Sequence, residues 1–117
     1  MLSYKNRFHG HGSLRYVYTN GDSIRSQKIV VKFTRNSRRK DSRFAVVVSK
    51  KVLKSAVGRN RIRRRVYEII RKEIPRIDGT FDVVVMIFHN SVKDMPHEEL
   101  RQIIIDSFKE ADFYCNK

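Results

Sequence analysis

The sequence predicts a single small domain of the α+β class, residues 1–117, in which helices pack on a mixed β-sheet. Its 117 residues, 40% of them hydrophobic, suffice for one domain with one modest core. Apolar residues recur every three or four positions in two long segments, which is the period of an amphipathic helix. Runs of β-branched and aromatic residues lie between these segments and favour strands. We expect the helices to cover one sheet face and to leave the other face, or part of it, open beside the main helix.

The chain begins with a polar, glycine-containing segment and continues into a short helix. Residues 1–12 are expected to form a loosely ordered arm. A helix over residues 13–18 follows and ends at Asn20-Gly21, which is typical helix-stop chemistry. One side of this helix either packs into the core or contributes to a binding surface. That side consists of Leu14, Val17 and Tyr18.

Two strands and the main helix come next. A β-branched run at residues 29–33 predicts one strand, and a strongly β-prone run at residues 44–48 predicts another. Residues 34–42 lie between them as a polar turn, whose four basic residues are more typical of a solvated loop than of a specific site. The main helix is expected to begin between residues 57 and 59 and to continue until Pro75 stops it.

A buried strand and a second amphipathic helix complete the domain. Residues 81–88 form a nearly unbroken apolar run, which is typical of a strand buried on both faces. The final helix should open near Pro96, a favoured first-turn residue, and Glu98 and Glu99 complement its dipole. Its buried side consists of Leu100, Ile103, Ile104 and Phe108. The predicted order is therefore helix, two or three strands, helix, strand, helix.

The net charge points to a polyanionic partner. The chain has 26 Lys and Arg residues against 12 Asp and Glu residues, a formal charge of +14 and a pI near 10.4. Nucleic acid is the usual partner of such a protein, and an anionic membrane surface is the alternative. No segment approaches the roughly 18 consecutive apolar residues of a transmembrane helix, and the basic helix lacks bulky aromatic residues on its apolar side. We therefore expect a nucleic-acid partner and no membrane association.

Cysteine usage and the first residues suggest a cytoplasmic protein. The single cysteine, Cys115, cannot form an internal disulfide, and no zinc-ligand spacing surrounds it. The N-terminal residues lack the apolar core of a signal peptide. Both observations favour a reducing compartment.

The most informative stretch is residues 49–65, which is rich in Lys and Arg and contains no acidic residue. It leads into an apolar series at helical spacing, from Ile62 to Ile74, so one helix side should be buried. At 100° per residue, four side chains fall together on the opposite side, which we call the basic ridge. The basic ridge consists of Asn60, Arg64, Tyr67 and Arg71. Guanidinium groups suit a phosphate backbone, because they pair with phosphate oxygens through fixed, often bidentate hydrogen bonds.

This stretch resembles the signature of the protein subunit of bacterial ribonuclease P. The Arg-Asn-Arg core is specific because it opens a helix after a strand that ends in Ser-Lys-Lys. The first helix also has the family's pattern of apolar residues before a glycine, and the resemblance extends over most of the chain. The matching segments are Val48-Ser49-Lys50-Lys51, Ala56-Val57-Gly58-Arg59-Asn60-Arg61-Ile62-Arg63-Arg64 and Leu14-x-x-Val17-Tyr18-x-x-Gly21.

The resemblance implies a fold and a function. The fold is α-β-β-β-α-β-α with a left-handed βαβ crossover, although the general rule for such crossovers favours the right-handed form. The implied function is that of the non-catalytic protein subunit of a ribonucleoprotein endonuclease. The protein would bind the catalytic RNA and the single-stranded 5′ leader of precursor tRNA, and the RNA would remove that leader by Mg²⁺-dependent hydrolysis. No obligate protein partner is implied.

Two groups of candidate binding residues follow. We expect contacts to RNA from Lys50, Lys51, Arg59, Asn60, Arg61, Arg63, Arg64, Tyr67 and Arg71. Asn60 either touches a nucleotide or caps the helix. The leader cleft implied by the family would involve Leu14, Tyr18, Lys32 and Phe33. Leu14 stands where the family usually has an aromatic residue and Tyr67 where arginine is common. The register of the strand decides whether Lys32 or Phe33 faces the cleft.

Other functions are less well supported by the sequence. A protein nuclease would need acid–base groups in fixed geometry, and the candidates lie on a glycine-rich arm, on a loop or away from the basic ridge. These candidates are His9, His11, His89, His97, Asp82 and Asp94. We therefore predict no catalytic and no metal-binding residue in the protein. A ribosomal protein or RNA chaperone would explain the charge equally well, and a DNA-binding helix lacks a partner helix or dimer heptad.

Overall fold

The computed structural model describes residues 4–8, 12–26 and 28–114. The order α-β-β-β-α-β-α is confirmed. The helices and strands are α1 (Gly12–Asn20), β1 (Asp22–Arg25), β2 (Ile29–Arg35), β3 (Arg43–Val48), α2 (Ala56–Glu73), β4 (Phe81–Ile87) and α3 (His97–Glu110). Short 3-10 helices lie at Tyr4–Asn6, Ile74–Arg76 and Asn90–Asp94.

The sheet is mixed, as predicted. Its strand order is β1-β2-β4-β3, with β1–β2 and β2–β4 antiparallel and β3–β4 parallel. Helix α2 therefore forms the crossover between two neighbouring parallel strands. The hand implied for this crossover stays a prediction. Strand β3 is an edge strand, and its outward backbone groups need partners from outside the sheet.

One sheet face packs on α2 and α3 and carries the main core. Side chains alternate along each strand, so every second residue of β2, β3 and β4 points to this face. Strand β4 is confirmed as buried on both faces, because consecutive residues Val83, Val84 and Val85 are all inaccessible. The main core includes Val31, Val46, Val83 and Val85 from the strands, Ile62, Val66, Ile69 and Ile70 from α2, and Leu100, Ile104 and Phe108 from α3.

Helix α1 lies on the other sheet face, so the helices are not confined to one face as expected. The Val17 side chain is 0% exposed, yet it is not part of the main core. Val30 and Val84, which point away from α2 and α3, are buried in the same way. An amphipathic helix must bury its apolar side, and the apolar strand residues on this face of the sheet provide the surface on which α1 does so. The uncovered remainder, which we call the open face, carries half-buried Ala45 and Val47.

Helix α2 begins earlier than predicted. Ser55 is its N-cap, and its hydroxyl oxygen accepts a hydrogen bond from the Gly58 amide at 3.0 Å. A serine at this position satisfies an otherwise unpaired amide of the first turn. Asn60 lies inside the helix, so the hypothesis that it caps the helix is wrong. The helix ends at Glu73, and Pro75 lies in the 3-10 helix that follows.

Residues 4–8 of the expected arm lie along the start of β3. The Asn6 side-chain amide donates to the Ser42 carbonyl at 2.8 Å, and Asn6 is buried. Arg7 forms an isolated parallel bridge with Phe44. The Phe8 ring lies 4.9 Å from the guanidinium of Arg43. These residues cover part of the β3 edge. Gly12, the last residue of the expected arm, is instead the first residue of α1, and residues 1–3 and 9–11, with His9 and His11, lie outside the described residues.

Gly21 allows the end of α1 to approach β2 closely. A Cβ atom at this position would lie 2.5 Å from the Val17 carbonyl oxygen and 3.0 Å from that of Phe33. Both atoms belong to backbone, so Gly21→Ala should lower the free energy of unfolding by about 1–3 kcal/mol. Urea denaturation measures this change. Gly12→Ala is the matched control, since its Cβ would meet nothing within 4 Å. Equal losses for the two variants would contradict the steric explanation.

Candidate RNA-binding surface

The loop between β3 and α2 is held against the first turns of the helix. The Val52 amide donates to the Ser49 carbonyl at 3.1 Å, which closes a turn directly after β3. The Arg59 guanidinium donates to the carbonyl oxygens of Leu53 and Lys54 at 2.9 and 2.8 Å. These acceptors are neutral, so Arg59 keeps its positive charge while it fixes the loop. Lysines on this loop are therefore presented from a defined position relative to α2.

Four predicted cations are available for binding. Lys50, Lys51, Arg61 and Arg64 are exposed, and none of their side chains has an ion pair or hydrogen bond with the described part of the chain. We call these four residues the free cations. Lys54 is a fifth exposed cation whose side chain has no partner among the described residues, and it was not among the residues predicted to contact RNA. Its position within the acid-free stretch was the signal that could have identified it.

A groove along α2 brings several predicted residues together. It is lined by Val57, Asn60, Arg61, Arg63, Arg64, Arg65 and Tyr67. Arg63 donates a hydrogen bond to the side-chain oxygen of Asn60. This bond fixes the guanidinium and the amide relative to each other. The amide nitrogen of Asn60 remains a donor of the kind that a phosphate or base oxygen accepts.

The basic ridge is not uniformly cationic, because Arg71 is paired. Its guanidinium donates to both carboxylate oxygens of Glu68, one turn away on the exposed surface of α2. The hydrogen bond from Arg71 lowers the pKa of the Glu68 carboxyl, and the same bond raises the pKa of Arg71. The pair is neutral as a whole, so Arg71 attracts phosphate less than the free cations do.

Arg65 has a structural role that the sequence analysis missed. Its guanidinium donates to the carbonyl oxygens of Val92 and Lys93 at 3.0 and 3.1 Å, and also to that of Met95. These carbonyls belong to the 3-10 helix Asn90–Asp94 and its cap, so Arg65 holds this segment on α2. A helical projection could have suggested this role, because Arg65 lies only 60° from the buried Ile62.

Tyr67 forms a hydrogen bond with the edge strand of the sheet. It is half-buried, and its hydroxyl oxygen accepts a hydrogen bond from the Val46 amide at 3.1 Å. Val46 lies on the edge strand β3, so this amide has no neighbouring strand on that side. An arginine at this position has no acceptor atom and could not make this hydrogen bond. The Tyr67 hydroxyl therefore stabilises the edge strand, and the Tyr67 side chain also lines the groove along α2.

Lys32 lies on the same side of the sheet as α1, beside Tyr18 of that helix, whereas Phe33 does not. The Lys32 ammonium lies 3.3 Å from the Tyr18 carbonyl oxygen and 5.9 Å from the centre of the Tyr18 ring. Leu14 and Tyr18 are half-buried, and burial raises the pKa of the Tyr18 hydroxyl. Phe33 points to the main core, where its ring meets that of Phe113 edge-on at 5.1 Å. Phe33 is therefore removed from the leader-cleft residues, because strand alternation lets only one of the two neighbours face the side on which α1 lies.

Asp82 has a structural role. Its carboxylate accepts from the Arg43 Nε and Nη2 atoms at 2.8 and 2.7 Å and from the Asn36 amide at 2.9 Å, and it is buried. The His89 Nδ1 atom accepts from the Ser91 amide at 3.0 Å, which caps a 3-10 helix. His97 and Asp94 are exposed.

Neither a metal-binding cluster nor a membrane-spanning helix is found among the described residues. No group of three or more His, Cys, Asp or Glu side chains among them could hold a metal ion. None of the helices within the described ranges has the length and apolar character needed to cross a bilayer. Cys115, for which we predicted no disulfide, lies outside the described residues.

Comparison with known proteins identifies the family. A family model described as Ribonuclease P matches residues 2–112. The chain belongs to the ribonuclease P family. It is 31% identical over 110 residues to a ribonuclease P protein component from Clostridium botulinum strain 657, covering 94% of this chain and 97% of that protein. Membership implies that the chain is a protein component of ribonuclease P and that its partner is RNA.

Solved structures of the same family share the fold. The RNase P protein of Staphylococcus aureus superimposes with a TM-score of 0.82 at 24% identity, covering 94% of this chain and 98% of that one. The RNase P protein of Thermotoga maritima gives a TM-score of 0.78 at 25% identity, covering 89% and 96%. The ribosomal-protein, general RNA-chaperone and DNA-binding alternatives are thereby set aside.

Proposed function

We propose that the protein binds the catalytic RNA of ribonuclease P and the 5′ leader of precursor tRNA, and so assists endonucleolytic 5′ maturation of tRNA. The observation that carries this proposal is the set of free cations, Lys50, Lys51, Arg61 and Arg64. They are exposed and have no acidic partner in the described ranges, while the opposite side of α2 is anchored in the core. RNA phosphates can pair with them without displacing an internal carboxylate.

The free cations would bind the catalytic RNA mainly through its backbone. Each phosphate contact releases a condensed counterion, so affinity should fall steeply as salt rises and depend little on base sequence. Arg59 contributes indirectly, because it fixes the loop that carries Lys50 and Lys51. Asn60 and Arg63, which are joined by a hydrogen bond, could contact a nucleotide through the remaining amide and guanidinium donors.

The surface formed by Leu14 and Tyr18 of α1 and by Lys32 of β2 would bind the leader. A single strand needs aromatic surface for its unpaired bases and cations for its backbone. Tyr18 supplies a ring and Lys32 supplies a charge beside it, at 5.9 Å from the ring centre. Leu14 adds apolar surface on the same helix. Tyr67 and Arg71 are expected to contribute less to RNA binding. Tyr67 is hydrogen-bonded to the edge strand of the sheet, and Arg71 is paired with Glu68.

The hydrolysis itself belongs to the RNA in this proposal. Mg²⁺ would be bound mainly by the RNA subunit and would supply the ionised water and charge stabilisation that phosphodiester hydrolysis needs. We assign no metal-ligand role to any described carboxylate. The buried Asp82 carboxylate is already paired with the Arg43 guanidinium. The protein would act in the cytoplasm, the reducing compartment that its lone cysteine suits.

Reconstitution tests the proposal. The protein is combined with candidate catalytic RNAs, and removal of the leader from precursor tRNA is measured at low Mg²⁺. We expect acceleration with the matching RNA and no cleavage by the protein alone. Cleavage by the purified protein with all RNA rigorously excluded would instead support a protein nuclease. Failure to accelerate leader removal with any such RNA would refute the proposal.

Tyr18→Ala tests the leader contact. Losing one stacked base should weaken the affinity of the holoenzyme for long-leader precursors by about 5- to 100-fold. Precursors with a one-nucleotide leader should bind as before, and equilibrium binding on the two substrate classes measures the difference. Tyr16→Ala is the control, because Tyr16 lies on the same helix but is 55% exposed. Equal losses for both leader lengths would mean that Tyr18 serves only to pack α1.

A further inference from the structure

Glu68 is the first acidic residue after the acid-free basic stretch, and it lies among cations. On a helix, side chains three and four positions apart are neighbours. Basic residues occupy all four of these positions around Glu68, which are those of Arg64, Arg65, Arg71 and Lys72. The Glu68 carboxylate therefore has several possible partners. The partner that it takes decides which of these cations remains available to a phosphate.

The partner that Glu68 takes is Arg71. The Arg71 Nε atom donates to one carboxylate oxygen of Glu68 at 3.2 Å, and the Nη2 atom donates to the other. This bidentate contact directs the carboxylate towards the C-terminal end of α2, because Arg71 follows Glu68 by three residues. Arg64 precedes Glu68 by four residues, and its side chain has no ion pair or hydrogen bond within the described ranges. Pairing with Arg71 thus leaves Arg64 free.

Arg71 itself lies outside the groove along α2. The groove is lined by Arg64 and Tyr67 but by neither member of the pair. The side chains of Arg71 and Glu68 are 50% and 41% exposed, so both are within reach of solvent. Glu68 follows Arg64 by four residues, or about 6 Å along the helix axis. An unpaired carboxylate at this distance could compete with a phosphate for the Arg64 guanidinium.

We propose that Arg71 is a positioning residue that holds the Glu68 carboxylate away from Arg64 and so keeps Arg64 available to the catalytic RNA. This inference rests on the proposed function. Without Arg71, Glu68 would become an unneutralised negative charge one turn from Arg64. It would then pair with the Arg64 guanidinium or repel the phosphate that Arg64 contacts. Either effect would weaken RNA binding, although Arg71 itself touches no phosphate.

Double-mutant cycles test this role with the catalytic RNA that the reconstitution identifies. We expect Arg71→Ala to weaken RNA binding about 3- to 10-fold and to reduce the slope of log affinity against log salt by up to about 0.9, the value of one phosphate contact. In the Glu68→Gln background the same substitution should change the affinity by less than about 2-fold, because no carboxylate remains to be held. The loss should shrink in the same way in the Arg64→Ala background, because Glu68 acts through Arg64. Circular dichroism checks that each variant is folded.

Arg101→Ala is the matched control, because Arg101 forms an equivalent pair on α3. Arg101 donates to Glu98, three residues earlier, at 3.1 Å. Both substitutions remove one positive charge and release one glutamate, but Arg101 does not line the groove. We expect Arg101→Ala to bind RNA like the parent protein. Equal losses for Arg71→Ala and Arg101→Ala would mean that net charge alone is responsible and would overturn the proposal.

The remaining outcomes separate this inference from the proposed function. If Arg71→Ala weakens binding equally with and without the Glu68 carboxylate, Arg71 contacts the RNA directly and is not a positioning residue. If Arg71→Ala binds like the parent protein, the orientation of Glu68 has no influence on the RNA. Both results would overturn the inference while leaving RNA binding by the free cations intact. If the parent protein neither binds nor assists any catalytic RNA, the proposed function fails instead.

Discussion

Replacing Arg61 and Arg64 together by alanine is expected to weaken binding of the catalytic RNA by about 10- to 100-fold at moderate salt. Both side chains line the groove along α2, and neither has an ion pair with another described residue. Each lost phosphate contact should also reduce the slope of log affinity against log salt by about 0.9, or about 2 for the pair. Binding isotherms at four or more salt concentrations give both quantities.

The control for this prediction must remove the same charge elsewhere. Arg38→Ala with Arg39→Ala removes two exposed arginines from the loop between β2 and β3, outside the proposed surface. We expect this variant to retain most of its affinity and nearly all of its salt slope. Identical behaviour of the two double variants would mean that net charge alone, and not the groove, governs RNA binding. Arg59→Ala is a poorer choice, because it would also release the loop that Arg59 holds.

Asp82→Asn is expected to produce the largest loss of stability, about 3–5 kcal/mol in the free energy of unfolding. The side chains of Asp82 and Arg43 are each 7% exposed, and their closest atoms lie 2.7 Å apart. Neutralising Asp82 leaves the Arg43 guanidinium buried without an opposite charge. Chemical denaturation followed by circular dichroism measures the loss.

Glu98→Gln is the matched control for the buried pair. Glu98 accepts from Arg101 at 3.1 Å, but the two side chains are 74% and 40% exposed, so its loss should cost no more than about 1 kcal/mol. RNA affinity per folded molecule should be unchanged in Asp82→Asn, because the carboxylate is not part of the binding surface. Comparable stability of Asp82→Asn and Glu98→Gln would show that the buried pair contributes little. Loss of cleavage by fully folded Asp82→Asn holoenzyme would instead give Asp82 a functional role.

Local sequence patterns were sufficient for every helix and strand except β1 (Asp22–Arg25), which only the family resemblance implied. The spacing from Ile62 to Ile70 specifies an amphipathic helix, because a 3.6-residue period leaves one side apolar whatever that side contacts. The run at Phe81–Ile87 specifies a strand covered on both faces for an equally local reason. The sequence does not predict which face of the sheet α1 covers, because an apolar side chain such as Val17 can be buried equally well against either face.

Composition and spacing along the chain by themselves determined the three helices, the strands β2, β3 and β4, and the presence of an acid-free basic stretch, while the motif around Arg59-Asn60-Arg61 indicated the family by resemblance. Only the tertiary structure decided which of the cations is free to bind. Arg65 is engaged by carbonyls 27 to 30 residues away, and Tyr67 by an amide 21 residues away. The physical reason is that the availability of a charged side chain depends on which hydrogen-bond partners folding brings to it, and those partners come from distant segments.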